Sequence, residues 1–394
     1  MEPSRINRGH LRFILILGAL IAFAPLAIDM YLPAFPAIAA HFGAPAGAVQ
    51  ATLAAYFIGI AIGQSVVGPL ADRYGRLPPL LVGISAFALA SIGAAFAPSI
   101  EWLTGARFVQ ALGGCAGIVI SRAMVRDLFD ERESAQVYSL LMLVMGVAPI
   151  LAPLLGGFLI VHFNWSFIFL FQAAFAAVCF VAVWRGLGET LPPAGRTKRG
   201  FGLILRAYIA LMYDRPYMAF TLANAFISAS MFAYITGASF VFISYHHLSP
   251  EQFALVFGFN ALGFVIGAQI NAWLLRRISG RTILGVATTV HLVAAFLLAA
   301  LSYWTPTALA PLIMLLFVLL SCGGFIGANA VAAAMSRAES NAGSAAALNG
   351  IVQFVAAACA GAIVGLLNDG TALPMAVVIA GLSLAGTLSR LAAR

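Results

Sequence analysis

Residues 47–98 read GAVQATLAAYFIGIAIGQSVVGPLADRYGRLPPLLVGISAFALASIGAAFAP. Two apolar runs, 47–70 and 79–98, flank a short polar gap that holds Asp72, Arg73, Gly75 and Arg76. A helix that crosses the hydrocarbon core of a bilayer needs about 20 mostly apolar residues, and each run has that length. In the first run Gly59 and Gly63 make a small-xxx-small seam, a device for close helix packing in lipid.

The same reading extends over the whole chain. Of its 394 residues 62% are hydrophobic and 9% charged. A soluble domain carries about 25% charged residues, so lipid must be the solvent for most of this one. Apolar runs fall near 11–33, 47–70, 79–98, 102–126, 136–161 and 165–187, then near 216–243, 252–275, 282–303, 308–334, 344–368 and 371–391. The expected fold is an all-α integral membrane protein with twelve transmembrane helices in two six-helix bundles. Residues 1–187 form the N-terminal bundle, 188–215 a cytoplasmic linker and 216–394 the C-terminal bundle. Phe201 to Tyr213 in the linker is too short to span. It is read as an amphipathic helix on the membrane surface, or else as a loop packed under the bundle.

Charge gives the orientation. The odd-numbered gaps (34–46, 99–101, 162–164, 244–251, 304–307 and 369–370) contain no Lys or Arg. The even gaps hold Arg73, Arg76, Arg126, Arg132, Arg196, Lys198, Arg199, Arg276, Arg277, Arg281 and Arg337; Arg5 and Arg8 precede the first run and Arg394 ends the chain. The positive-inside rule then puts both termini and the linker in the cytoplasm, with a bacterial inner membrane as the location. Met1 to Ala24 resembles a signal peptide, but the apolar run continues past it, so it reads as a retained first helix.

Other classes are set aside. The net charge of +8 is spread, apart from Arg107 and Arg122, over gaps and run ends, without a patch or motif for nucleic acid. No nucleotide-binding or hydrolytic signature occurs, which argues against an enzyme or an ATP-driven pump. Cys115, Cys179, Cys322 and Cys359 sit singly in apolar runs and read as small buried residues. No cofactor, metal site or disulfide is implied.

Asp29 is the one acidic residue deep within a run. An ionised carboxylate in hydrocarbon costs several kcal/mol, so it should face the bundle interior or a water-filled cavity, where it can load and release a proton. Its expected partner is Arg107 in run 4, which shares a helix face with Gln110 at i+3. Gly113, Gly114 and Gly117 follow. Tyr31, Tyr56 and Met145 are candidate cavity residues, as are Asn224, Phe232 and Tyr234 in the second half. Pro149, Pro153, Gly156 and Gly157 in run 5 suit a bent, moving interface. His291, in run 9, reads as a helix-to-helix hydrogen bond or a proton relay.

The gap sequence Gly68-Pro69-Leu70-Ala71-Asp72-Arg73-Tyr74-Gly75-Arg76 resembles the loop 2–3 signature of the major facilitator superfamily. Arg107 and Gln110 with Gly113-Gly114 resemble the helix 4 motif of drug–proton antiporters, and Ala152-Pro153-Leu154-Leu155-Gly156-Gly157 their helix 5 motif. Ile28-Asp29-Met30-Tyr31-Leu32-Pro33, Arg126-Asp127 and Glu189-Thr190-Leu191-Pro192 are similar to the Bcr/CflA (bicyclomycin and chloramphenicol resistance) subfamily. The resemblance is dense over roughly residues 15–195. It implies the major facilitator fold and the export of antibiotics or metabolites in exchange for protons. The loop 2–3 residues Gly68, Asp72, Arg73, Gly75 and Arg76 would then latch and gate the two halves, together with Pro153, Gly156 and Gly157.

The expectation is therefore a monomeric secondary transporter whose partners are a small-molecule substrate, protons and the bilayer. Asp29 and Arg107 would carry proton coupling. Asp29, Tyr31, Tyr56, Arg107, Gln110, Met145, Asn224, Phe232 and Tyr234 would contact substrate. A proton-coupled importer or facilitator on the same fold is the nearest rival, and a membrane-embedded enzyme or sensor a more distant one.

Overall fold

The computed structural model describes residues 8–193, 196, 201–338 and 342–393. Arg5, Lys198, Arg199 and Arg394, used above for orientation, lie outside the described residues, as do the side chains of Arg8 and Arg132. The described chain is helical, and 12 of its helices are long and apolar enough to cross a membrane.

The first crossing is a broken rod. It consists of α1 (Arg8–Ile21), α2 (Phe23–Ile28), a 3-10 turn (Leu32–Ala34) and α3 (Phe35–Phe42). A proline lacks an N–H and its ring clashes with the carbonyl four residues back. Pro25 therefore acts on Ile21, where α1 ends, and Pro33 on Asp29, the residue that caps α2. The carbonyl of Asp29 is instead reached by the amide of Leu32 at 3.4 Å. The sequence suggested a loop from 34 to 46, but most of it is α3. Pro36 suits the first turn of that helix, and Gly43 ends it in the left-handed conformation with φ of 58°.

The other spans are α4 (Ala46–Tyr74), α5 (Leu77–Ala95), α6 (Ile100–Leu128), α7 (Glu131–His162) and α8 (Trp165–Gly186) in the first half. The short helix α9 (Phe201–Tyr213) lies in the linker. After it come α10 (Arg215–Ser239), which runs on as a π-helical turn over Phe240–Tyr245, then α11 (Pro250–Leu274), α12 (Gly280–Trp304), α13 (Leu309–Met335), α14 (Ala342–Leu366) and α15 (Leu373–Ala392). Side chains set many of the starts. Ser99, Asp130, Asn164, Asp214, Ser249 and Ser279 each accept a hydrogen bond from a first-turn amide.

Small residues decide how α4, α5 and α6 pack. A methyl group on Gly59 would come within 2.6 Å of the Ala111 side chain and the Phe108 carbonyl. One on Gly113 would lie 2.6 Å from the Phe87 amide nitrogen. Between halves, α4 packs on α14 and α7 on α11. Ser239 donates to the Leu32 carbonyl at 2.7 Å and Gln50 to the Thr236 carbonyl at 3.2 Å. Both bonds lie toward the molecular end opposite Arg76. Farther along α4, the Gln64 amide oxygen rests against Gly350 of α14.

Candidate functional site

The break in the first span leaves the last carbonyls of α2 without helical partners, as at any helix terminus. Two side chains from other spans take them. Arg107 of α6 donates through Nη2 to the Ala27 carbonyl at 2.8 Å, and Gln172 of α8 donates to the Leu26 carbonyl at 2.9 Å. A cation at a helix C-terminus is also favoured by the helix dipole. The two caps are joined through Gln110, which accepts from Arg107 at 2.5 Å and donates to the Gln172 side-chain oxygen at 2.7 Å. Gln110 also donates to the Ser91 hydroxyl of α5 at 2.7 Å.

Arg107 is fully buried. Its guanidinium carbon lies 4.3 Å from the ring centre of Tyr56 and 4.6 Å from that of Tyr31, which gives the charge two aromatic faces. The Tyr31 hydroxyl bonds to the Thr52 hydroxyl at 2.9 Å. Because Thr52 donates onward to the Val49 carbonyl, Tyr31 is the donor.

Asp29 sits just beyond the capped end of α2 and is only 5% exposed. Its carboxylate makes no hydrogen bond or ion pair with a described residue. The expected Asp29–Arg107 ion pair is therefore absent from this structure. The main-chain carbonyl of Ala27 and the Gln110 side chain occupy the guanidinium instead. Asp29 stands between Ala27, held by Arg107 of α6, and Leu32, whose carbonyl accepts from Ser239 of α10, so it lies where the two halves meet.

Tyr234 accepts from Asn260 at 3.1 Å and stacks on Phe257. Phe232 joins Phe57 of the first half at 4.7 Å and Phe354 of α14 at 5.7 Å. The structure thus gathers Asp29, Tyr31, Tyr56, Arg107, Gln110 and Tyr234, with Phe232 on the same seam. Asn224 is not part of this group. Asn224 faces Asn349 at 3.5 Å, ten residues or about 15 Å along α10 from Tyr234. Met145 is half-buried on α7. His291 bonds to Ser383 at 2.9 Å and Ser230 at 3.3 Å and so ties α12 to α15 and α10. Gln172 was not among the sequence candidates. The signal for it was a lone amide within the apolar run 165–187.

The residues expected to gate form two groups. Gly156 of α7 lies against the Met30 carbonyl, next to Asp29, while Gly157 faces the Pro250 carbonyl of α11. One turn of α7 thereby touches both the broken helix and the other half. The helix runs through Pro149 and Pro153 without interruption. The second group surrounds Arg76, which bonds Asp72 at 2.5 Å and Asp127 at 2.8 Å. Burial works against its charge, but the Asp127 and Asp72 carboxylates more than offset this and raise its pKa. Glu189 accepts from the amides of Arg76 at 2.8 Å, Leu191 at 3.0 Å and Leu77 at 3.1 Å. Burial pushes its carboxyl up, yet these amides together with Arg196 hold it below the usual range. Gly75, with φ of 96°, leaves room for that carboxylate, and Arg73 lies over the Tyr74 ring. All these partners precede residue 200. In this structure the network therefore ties the ends of α4, α6 and α8 to one another, not one half to the other.

The profile of the Major Facilitator Superfamily matches residues 17–362. The chain is 36% identical to the uncharacterized MFS-type transporter YdgK of Bacillus subtilis over 98% of its own length and 96% of that protein's. It is 30% identical to the bicyclomycin resistance protein homolog of Haemophilus influenzae, covering 92% of this chain and 91% of that one. Among solved structures, a bacterial homolog of the human lysosomal transporter Spinster, inward-facing and occupied, superposes with a TM-score of 0.72 at 15% identity, covering 99% of this chain and 95% of that one.

Proposed function

Because this chain belongs to the Major Facilitator Superfamily, and is thus a multi-pass membrane transporter, we propose that it is a proton-coupled antiporter. It exports small organic molecules, drugs or metabolites, from the cytoplasm by alternating access. It works as a monomer with both termini in the cytoplasm.

One observation carries this reading. Asp29 is buried without a partner among the described residues, between Ala27, whose carbonyl Arg107 of the first half holds, and Leu32, whose carbonyl Ser239 of the second half holds. A carboxylate so placed gains or loses its proton as the halves rearrange around it. In the outward state Asp29 takes a proton from outside; in the inward state it releases that proton as substrate enters. Arg107 contributes by holding the end of α2, which fixes where the carboxylate stands, and by facing Tyr31 and Tyr56. One proton moving down roughly 100 mV supplies about 2.3 kcal/mol, and a pH unit adds about 1.4 kcal/mol. The cross-half bonds Ser239–Leu32 and Gln50–Thr236, at the end away from Arg76, support assigning this arrangement to the externally closed state.

The name of the Haemophilus relative, a bicyclomycin resistance protein homolog, gives the first compound to try. An expressing strain is screened against a panel led by bicyclomycin. The compound it resists is then added to purified protein in weak buffer. Protons should be released, and apparent affinity should rise with pH, because substrate and proton compete for one group. Asp29→Asn should lose both signals. Continued proton release by that variant would place the coupling elsewhere, and uptake in place of efflux would make the protein an importer.

A further inference from the structure

A cavity of about 840 Å3 opens on the C-terminal half, at the end of the bundle where α12 starts and α15 finishes. Arg281 at the start of α12, Arg337 just past α13 and Arg390 near the end of α15 all line it, and no described carboxylate does. Its wall continues along α12 through Val286 and Val290. These two are 62% and 44% exposed on a membrane-crossing helix, so the cavity opens toward lipid. Arg281 and Val290 are nine residues apart, about 14 Å along the helix. Charge thus sits at the membrane surface, with apolar wall below it.

We propose that this cavity is a binding site for an anionic phospholipid of the leaflet on that side. Arg281 and Arg337 hold the phosphate through paired N–H donors, and an acyl chain lies along Val286 and Val290. Basic pockets between spanning helices suit such headgroups. A free phosphate would use the arginines and leave the apolar wall idle. A zwitterionic lipid would fill the wall but bring no net charge to Arg281 and Arg337. Nothing at this site takes part in the chemistry proposed for Asp29, so the two readings stand or fall separately.

Native mass spectrometry of the purified full chain with phosphatidylglycerol or phosphatidylcholine of identical chains tests the site. Wild type should retain phosphatidylglycerol in preference. Arg281→Ala and Arg337→Ala should each weaken that retention about fivefold, and Val286→Glu should weaken it through the wall. Arg126→Ala, the same charge change on α6, should leave retention unchanged, and millimolar inorganic phosphate should not displace the lipid. Equal retention of phosphatidylcholine, no effect of the two arginine variants, an equal loss in Arg126→Ala, or displacement by phosphate would each overturn the proposal.

Discussion

Arg107 donates to the main-chain carbonyl of Ala27 at 2.8 Å, two residues before the carboxylate that charge complementarity would have paired with it. The intramembrane cation thus serves as a cap on a broken helix. Asp29 is left to face the seam.

This geometry separates two substitutions. Arg107→Ala should abolish efflux at normal expression, because Ala27 and Gln110 lose their partner in a buried site, at about 1–3 kcal/mol each. Arg107→Lys can reach one of the two acceptors but not both, so efflux should fall at least tenfold. The pH midpoint of transport should nonetheless move by less than ~1 unit, since a broken direct ion pair would move it by about 1–3. Efflux by vesicles across a pH series measures both.

Gln172→Leu touches neither Asp29 nor the seam directly, yet it removes the cap from Leu26 and a partner from Gln110. A thermal melt should report a loss of about 1–3 kcal/mol, and efflux should drop with it. Unchanged transport would mean that the caps do not position the carboxylate.

Gly156→Ala should be inactive although inserted. The added methyl would meet the Met30 carbonyl and force α7 away from the broken helix. Gly157→Ala, with 3.1 Å to the Pro250 carbonyl, should be milder. Side-by-side efflux assays rank the two.

Ser239→Ala removes a hydrogen bond across the seam. Losing about 0.5–1.5 kcal/mol from the externally closed arrangement should shift its population about two- to twelvefold. Spin-label distances between the outer ends of α4 and α14 would read the change.

Glu189 predicts a pH dependence. Its folded pKa is lowered, so its contribution to stability is fully present above the unfolded value of about 4.3. That contribution is lost as pH falls through the lower folded value. The gap in melting temperature between wild type and Glu189→Gln should therefore be steady from pH 7 to 5 and close in more acidic buffer. It should correspond to less than about 1 kcal/mol, because solvent reaches the carboxylate.

The twelve spans were legible because lipid demands long apolar runs. Asp29 and Arg107 stood out by scarcity. Their relation did not, because a sequence displays charges but not the carbonyls that a helix break sets free. Pro25 and Pro33 were in plain view, yet two prolines barely lower the mean hydropathy of so apolar a stretch, so the run 11–33 read as a single rod and α3 as a loop. Gln172 was hidden in the same way, one amide within an apolar run. Asn224 was placed by its neighbours in sequence, whereas its position along α10 carries it away from Tyr234.

The broken first span also sets an order of events during synthesis. Its caps come late: Arg107 lies 80 residues after Ala27, and Gln172 lies 146 after Leu26. At about 5–20 residues per second, the ribosome makes Gln172 some 7–30 s after the carbonyl it will hold. Until then the segment must enter the bilayer with uncapped carbonyls and a carboxyl group whose insertion costs about 2.5–3.5 kcal/mol at mid-helix. The nascent chain therefore waits for its sixth span before its first can take its final shape.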